Sequence, residues 1–166
     1  MDVKLRTTHL LAATAIFSVV LLVMWASRPD TDEQVAQLFA DIRTGLEEYD
    51  ADTIMAKLDE QYDIAAHWPR ARDLPTGEAT LRETVHALAR RYLTAIKLRG
   101  GRPPRFTCQI HDVVESDDTI VVEATVALDD VPRAVRVAPA RQASFRLRRH
   151  GWLRPTLRII GHDPLH

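Results

Sequence analysis

Residues 119–128 read TIVVEATVAL. Every second residue of this segment is apolar, in the order Ile120, Val122, Ala124, Val126 and Leu128. Because successive side chains of a strand point to opposite faces, such alternation is typical of a β-strand with one buried face. The segment therefore predicts a sheet that packs one face on a core and exposes the other face to solvent.

Three further predicted strands surround this segment. Residues 105–115 precede it across a turn at 116–118, and residues 133–149 follow it with a bend at Pro139. A tight turn at His150-Gly151 leads into the last predicted strand, residues 152–160. Strands joined by short turns pair with their neighbours in sequence, so we expect a four-stranded antiparallel meander.

The first half of the chain has helical spacing of its apolar residues. The spacing predicts helices over residues 31–49, 50–61 and 76–99, a short strand over 62–68 and a loop over 69–75. Helices followed by an antiparallel sheet form an α+β pattern. We expect a cone-shaped domain of three helices packed on a strongly bent antiparallel sheet, with a conical cavity at one end.

An uncharged segment lies at the N-terminus. The 21 residues between Arg6 and Arg28 carry no fixed charge. As a helix they would be about 31 Å long, enough to cross a bilayer core. Residues 7–27 are therefore predicted to be a transmembrane signal anchor, with residues 1–28 as the anchor region and 29–166 as the folded domain.

Charges on either side of this segment predict its orientation. Lys4 and Arg6 precede it, and acidic residues follow it closely. The positive-inside bias places the N-terminus in the cytoplasm and the domain outside it, on a single-pass protein of the cell (inner) membrane. The alternative is a cleaved signal peptide, but cleavage after Ala26 or Ser27 would leave Met24 or Trp25 at a position that prefers a small residue.

Composition excludes several classes of protein. The 166 residues are 46% hydrophobic and 27% charged, with a net charge of −1 and one cysteine. A disordered chain, a disulfide framework and a general affinity for nucleic acid are therefore not expected. Cys108 has no intramolecular partner and is predicted to be a small buried apolar residue. No metal site and no cofactor are predicted, because the histidines are scattered and no glycine-rich phosphate loop occurs.

An ordered set of segments resembles the nuclear transport factor 2-like superfamily, which includes SnoaL-like cyclases and ketosteroid isomerase. The match extends from Asp32 to Gly161. The segments that carry it are Tyr62-Asp63, Ile64 to Pro69, Thr76 to Leu81, Phe145 to Leu147, Gly151-Trp152 and Ile159-Ile160. The resemblance implies the cone fold, and this fold serves enzymes and binding proteins alike.

Residue by residue, the isomerase positions are apolar in this chain. Ketosteroid isomerase has an aspartate base just before the proline that ends the short strand, and Trp68 is the residue here. Its second acid corresponds to Ala143, and its helix-one tyrosine corresponds to Ile42. Because none of the three can hold or donate a proton, that mechanism is excluded and no catalytic residue is predicted.

Two groups of residues remain as candidates for binding. A possible cavity lining consists of Asp63, His67, Trp68, Tyr92, Gln109 and His111. The alternative is that Trp68 and Tyr92 fill the cone as core residues and that the histidines are solvated. A possible interaction face consists of Arg136, Arg146, Arg148, Arg154 and Arg158, on the last two predicted strands. The alternative there is a solvated face that the acidic helices partly neutralise.

These observations predict a membrane protein that presents a non-enzymatic binding or assembly domain outside the cytoplasm. The expected partner is an acidic protein or a second copy of the chain, which the arginine side chains would contact. The alternative function is a membrane-anchored SnoaL-like enzyme of cyclase, isomerase or hydrolase type. Such an enzyme would act on a small molecule in the cone, with His67 or Asp63 as a reactive group.

Overall fold

The computed structural model of the chain describes residues 18–20, 29–77, 79–130, 141–151 and 155–164. Its helices are α1 (Thr31–Glu47), α2 (Ala51–Ala56), α3 (Ile64–His67), a 3-10 helix (Pro69–Asp73) and α4 (Leu81–Leu98). Its strands are β1 (Arg105–Ser116), β2 (Thr119–Asp129), β3 (Arg141–His150) and β4 (Thr156–Pro164).

The predicted transmembrane segment lies almost wholly outside the described residues. Of residues 7–27, only the helical residues 18–20 are described. Among the residues that are described, no helix has the length and apolar character needed to span a bilayer.

The sheet is the antiparallel meander that the alternation predicts. Its strand order is β1-β2-β3-β4, and each strand pairs antiparallel with the next. On one face, Val122 pairs with Phe145 and Ala124 pairs with Ala143, and all four residues are buried. A bulge at His111 and another at Ile160 interrupt the ladders and bend the sheet.

Helix α1 covers the buried face of the sheet. Val35, Leu38 and Phe39 are buried in one cluster with residues of β2, β3 and β4. The Phe39 ring lies 5.2 Å from the Phe145 ring, edge to face, and 6.4 Å from the Phe106 ring. The core is therefore formed by α1 and the sheet.

The long helix α4 does not join this core. The expectation that all three predicted helices pack on the sheet does not hold for α4, because none of the core-cluster residues lies on α4 and its own buried residue is Leu93. Polar contacts hold α4 to α2 instead. Asp52 accepts hydrogen bonds from Arg90 and contacts His86, and Arg82 donates to the carbonyls of Met55, Leu58 and Asp59 at the end of α2.

Two helix boundaries differ from the prediction. The helix that was predicted to begin at Thr76 is α4, and it begins at Leu81. Thr80 caps it and forms a reciprocal capping box with Glu83. The second helix ends at Ala56 and not near Gln61, because Lys57 to Asp59 turn to pair with β4. There the Ile159 amide donates to the Lys57 carbonyl and the Asp59 amide donates to the Ile159 carbonyl.

The predicted short strand over residues 62–68 is also wrong. Asp63 accepts a hydrogen bond from the Ala66 amide and caps the four-residue helix α3, and Pro69 begins the 3-10 helix that follows. A capping aspartate and a proline at the first helical position both favour helix, and here they override an apolar pattern too short to distinguish helix from strand.

A buried carboxylate joins the end of α2 to the sheet. The Asp59 side chain is 3% exposed, accepts a hydrogen bond from the Gln61 amide, and lies 2.5 Å from His150 Nε2. Burial tends to raise the pKa of Asp59. The Gln61 amide, His150 and the charge of Arg148 together outweigh burial and lower this pKa. Asp59 is therefore ionised at neutral pH and fixes the loop after α2 against β3.

Candidate functional site

Three titratable residues, Tyr62, His67 and His162, lie together on the face of the sheet that the core covers. The Tyr62 hydroxyl lies 2.9 Å from His162 Nδ1, and the His67 and His162 rings stack with centroids 4.4 Å apart. His162 pairs in register with Phe145, so it lies on the face that the core covers. We call these three residues the imidazole cluster.

The environment fixes the proton positions within this cluster. Burial raises the pKa of Tyr62 to about 12, and the charge of Asp63 adds to the effect. Burial, and then the neighbouring His67, lower the pKa of His162. At neutral pH the phenol therefore keeps its proton and the His162 ring is neutral. We assign the ring proton of His162 to Nε2, the tautomer in which Nδ1 accepts a hydrogen bond from the phenol.

Removing the phenol tests this assignment. We expect Tyr62→Phe to raise the pKa of His162, because the hydrogen bond to Nδ1 stabilises the neutral ring, and to lower the unfolding free energy by about 1 kcal/mol. The measurement is an NMR titration of the histidine ring resonances. Tyr92→Phe is the matched control, since the buried Tyr92 hydroxyl has no partner among the described residues. An unchanged His162 titration in Tyr62→Phe would contradict the assignment.

The other predicted lining residues of the α3 region are arranged differently. Asp63 is exposed and caps α3. Trp68 is 41% exposed, so the expectation that it fills the cone is wrong. Trp68 lies between α3 and the 3-10 helix and not on a strand, so strand alternation does not direct its side chain into the core. Tyr92 is half-buried on α4, outside the core cluster.

Gln109 and His111 do not line the cone either. Gln109 pairs with Thr125, and both lie on the face opposite the core. His111 is the bulged residue of β1, and its Nε2 lies 2.7 Å from the Thr125 hydroxyl on that outer side. Alternation along β1 places Phe106, Cys108 and Ile110 inside, so the polar residues between them point outward.

The position that corresponds to the second isomerase acid is packed with apolar side chains. Ala143 is buried at 5% exposure, and Ile42 packs against the core cluster. Phe39 occupies the space between α1 and the sheet, against Phe145 and Phe106. The cone is therefore filled by a phenylalanine of the first helix, a role that the sequence pattern did not distinguish from ordinary helix burial.

The predicted arginine face is partly described. Arg136 and Arg154 lie outside the described residues. Arg146, Arg148 and Arg158 lie on the outer face of the sheet, since Arg146 and Arg148 alternate with buried Phe145 and Leu147, and Arg148 pairs with Arg158. Arg146 lies 3.6 Å from Asp163, and Arg148 donates to Gln61 at 2.9 Å.

Neither a metal site nor a reactive thiol is indicated among the described residues. Within the described ranges, no group of three or more histidine, cysteine or acidic side chains could hold a metal ion. Burial raises the pKa of the Cys108 thiol to about 11, which suppresses the reactive thiolate. Two surface cavities of about 390 Å³ are present, one between α1 and the start of β4 and one beside the β1 bulge. The described lining of neither cavity includes a residue of the imidazole cluster.

Sequence reasoning found part of the cluster. His67 was singled out, but His162 and Tyr62 were not. His162 follows Gly161 in the last strand, and continuing the alternation of β4 past Ile160 would have required knowledge of the bulge that shifts its register.

Comparison with known proteins is informative for the fold. No family model and no curated protein matches the chain. The protein Aln2 from a Streptomyces species matches with a TM-score of 0.50 and 21% identity, over 83% of this chain and 93% of that one. A protein of unknown function with a cystatin-like fold from Nostoc punctiforme matches with a TM-score of 0.48 and 13% identity, over 82% and 92%.

A protein of the nuclear transport factor 2-like family from Streptomyces avermitilis also matches. Its TM-score is 0.46 at 16% identity, and the match covers 82% of this chain and 98% of that chain. Likeness at this identity concerns the fold alone.

Proposed function

We propose that the chain is a non-enzymatic binding domain with a nuclear transport factor 2-like cone, held at the cell membrane by residues 7–27 and located outside the cytoplasm. The observation that supports binding over catalysis is the filled cone. Phe39, Phe145 and Ala143 are all buried in one cluster between α1 and the sheet, at the place where the resemblance implies the second isomerase acid. Because the described part of the interior is packed in this way, we assign binding to the outer surfaces.

The membrane part of the proposal rests on the uncharged span and is tested separately. We expect the full chain to stay with membranes after alkaline extraction and a chain lacking residues 1–28 to be released. We also expect N-terminal sequencing of the extracted protein to begin at the original terminus. A sequence that begins at Ser27 or later would show a cleaved signal peptide and would contradict the proposed membrane anchor.

A second candidate function is favoured by one observation. The imidazole cluster brings three groups that can hold a proton to one place, and a membrane-anchored enzyme of cyclase, isomerase or hydrolase type could use them. Against it, Tyr62 and His162 bond to each other, and the raised pKa of Tyr62 makes it a poor acid.

Substitutions separate the two functions. His67→Ala would abolish the activity of an enzyme but leave binding through the outer face unchanged. Charge reversal at Arg146 and Arg148 would weaken binding through the outer face but leave the activity of an enzyme unchanged. Turnover of candidate small molecules measures the enzymatic function. Association of the purified protein with itself or a partner measures the binding function.

A further inference from the structure

The two edges of the sheet differ in how their main chains are bonded. At the β4 edge, the Ile159 amide donates to the Lys57 carbonyl and the Asp59 amide donates to the Ile159 carbonyl, each at 2.8 Å. Strand β1 forms the other edge. Within the described ranges, no backbone group beyond β2 bonds to the main chain of β1. The amides and carbonyls of β1 that point away from β2 are therefore placed to pair with a further strand.

Strand β1 is also the least buried strand of the sheet. None of its 12 residues is buried, whereas β2, β3 and β4 each have three buried residues. The inward side chains Phe106, Cys108 and Ile110 pack against the core cluster but stay partly exposed. A strand added beside β1 would cover these three side chains and bond to the main chain at the same time.

The regular part of β1 limits the length of such an added strand. Residues 105–110 pair with β2 without interruption, and the bulge at His111 follows them. A strand segment of this length spans about 20 Å. Because a bulge bends the strand and disturbs its hydrogen bonds, regular pairing along the free edge is confined to residues 105–110.

Charged residues at the two ends of this segment specify the partner further. Asp112 pairs in register with Glu123, and both are exposed. Among the described residues, no basic side chain forms an ion pair with either carboxylate. Arg105 lies at the opposite end of the segment and is also exposed. The complementary strand therefore has a basic residue at the Asp112 end and an acidic residue at the Arg105 end.

We infer that the free edge of β1 binds an extended peptide segment of a partner protein as an additional antiparallel strand of the sheet. In this segment, apolar residues that cover Phe106, Cys108 and Ile110 alternate with polar residues on the outer face, and a basic residue lies beside Asp112. The main-chain hydrogen bonds supply affinity, and the alternating side chains supply specificity. The inference rests on the proposed binding function and names the kind of partner.

A synthetic peptide tests the inference. The sequence Lys-Val-Thr-Val-Thr-Val-Glu, laid antiparallel on β1, places its valines beside the inward residues, its lysine beside Asp112 and its glutamate beside Arg105. The peptide carries a fluorophore at its C-terminus and is titrated with the purified full-length protein in a non-ionic detergent at about 0.05 M salt, where screening is weak. We expect saturable binding with a Kd below about 1 mM, and shifts of the backbone NMR resonances of residues 105–110.

Peptides with methylated amides are the matched controls. In an antiparallel pair, alternate residues direct their amides to the partner strand. Methylating the valine amides or the threonine amides therefore removes the bonds to β1 in one peptide and leaves them intact in the other. We expect the two methylated peptides to differ in affinity at least about tenfold, because only one set of amides bonds to β1.

A charge exchange tests the position of the peptide on β1. We expect Asp112→Lys to weaken binding about threefold, the size of an exposed ion pair, and a peptide with glutamate in place of its lysine to restore it. Circular dichroism verifies that the variant is folded.

Several outcomes would overturn the inference. They are the absence of saturable binding, equal affinities of the two methylated peptides, and NMR shifts that lie away from residues 105–110. A protein that is dimeric alone and becomes monomeric when the peptide is added would show that a second copy occupies the edge, and would overturn the assigned partner. Failure of the peptide would leave the proposed binding domain standing, because binding through Arg146 and Arg148 is measured with separate variants.

Discussion

Phe39→Ala is expected to lower the unfolding free energy by about 3–5 kcal/mol, the range for removing a buried phenylalanine from a core. The Phe39 side chain is 4% exposed and contacts rings from two different strands, so the surrounding structure cannot readily collapse into the space. The measurement compares the denaturant midpoints of wild type and variant, with the same dependence of the unfolding free energy on denaturant concentration for both.

Trp68→Ala is the matched control for this variant. It removes a larger side chain, but one that is 41% exposed, and we expect a loss of about 1 kcal/mol. If Trp68→Ala were the more destabilising of the two, Trp68 and not Phe39 would fill the cone, and the core would be organised differently from the description above.

Asp59→Ala is expected to be the second most destabilising change, by about 2–3 kcal/mol. The substitution leaves the Gln61 amide and His150 without their buried acceptor. Thermal unfolding at pH 7 measures the loss. Glu60→Ala, at the exposed neighbouring position, should stay within about 0.5 kcal/mol of wild type.

The pH dependence of the Asp59 contribution has a defined sign. Because the folded state lowers the pKa of Asp59, the stabilisation is fully present above the pKa of the unfolded chain, about 4. It is lost as the pH falls through the lower folded-state value. Wild type should therefore lose more stability than Asp59→Ala between about pH 5 and pH 2. Parallel curves for the two proteins would show that folding does not lower the pKa of Asp59.

Sequence periodicity predicted the sheet well, and there is a physical reason why it failed for residues 62–68. The alternation of Ile120 to Leu128 reports one buried face directly, so β2 and its neighbours followed from it. Residues 62–68 were predicted wrongly, because seven residues are too few to distinguish the two periods and the Asp63 cap was not weighed against them.

The site was less predictable than the fold. Gln109 and His111 were expected at the cavity as residues of the first long strand. Alternation places Gln109 on the outer face, and the bulge places His111 there too. His162 was missed because its contact with Tyr62 joins residues 100 positions apart. The pairing of Asp112 with Glu123 and of Arg148 with Arg158 likewise becomes visible only once strand register is known.

The filled cone is tested most directly by adding a small apolar probe. Benzene is titrated into wild-type protein and into Phe39→Leu, a variant mild enough to stay folded, while NMR follows the methyl groups of Val122 and Ala124. We expect no saturable shift in wild type, whose cone is packed, and a saturable shift in Phe39→Leu, whose cone has lost part of a ring and can admit an apolar guest. A saturable shift of these methyl groups in wild type would show an open interior site, and the proposal of a binding domain without a catalytic cavity would be contradicted.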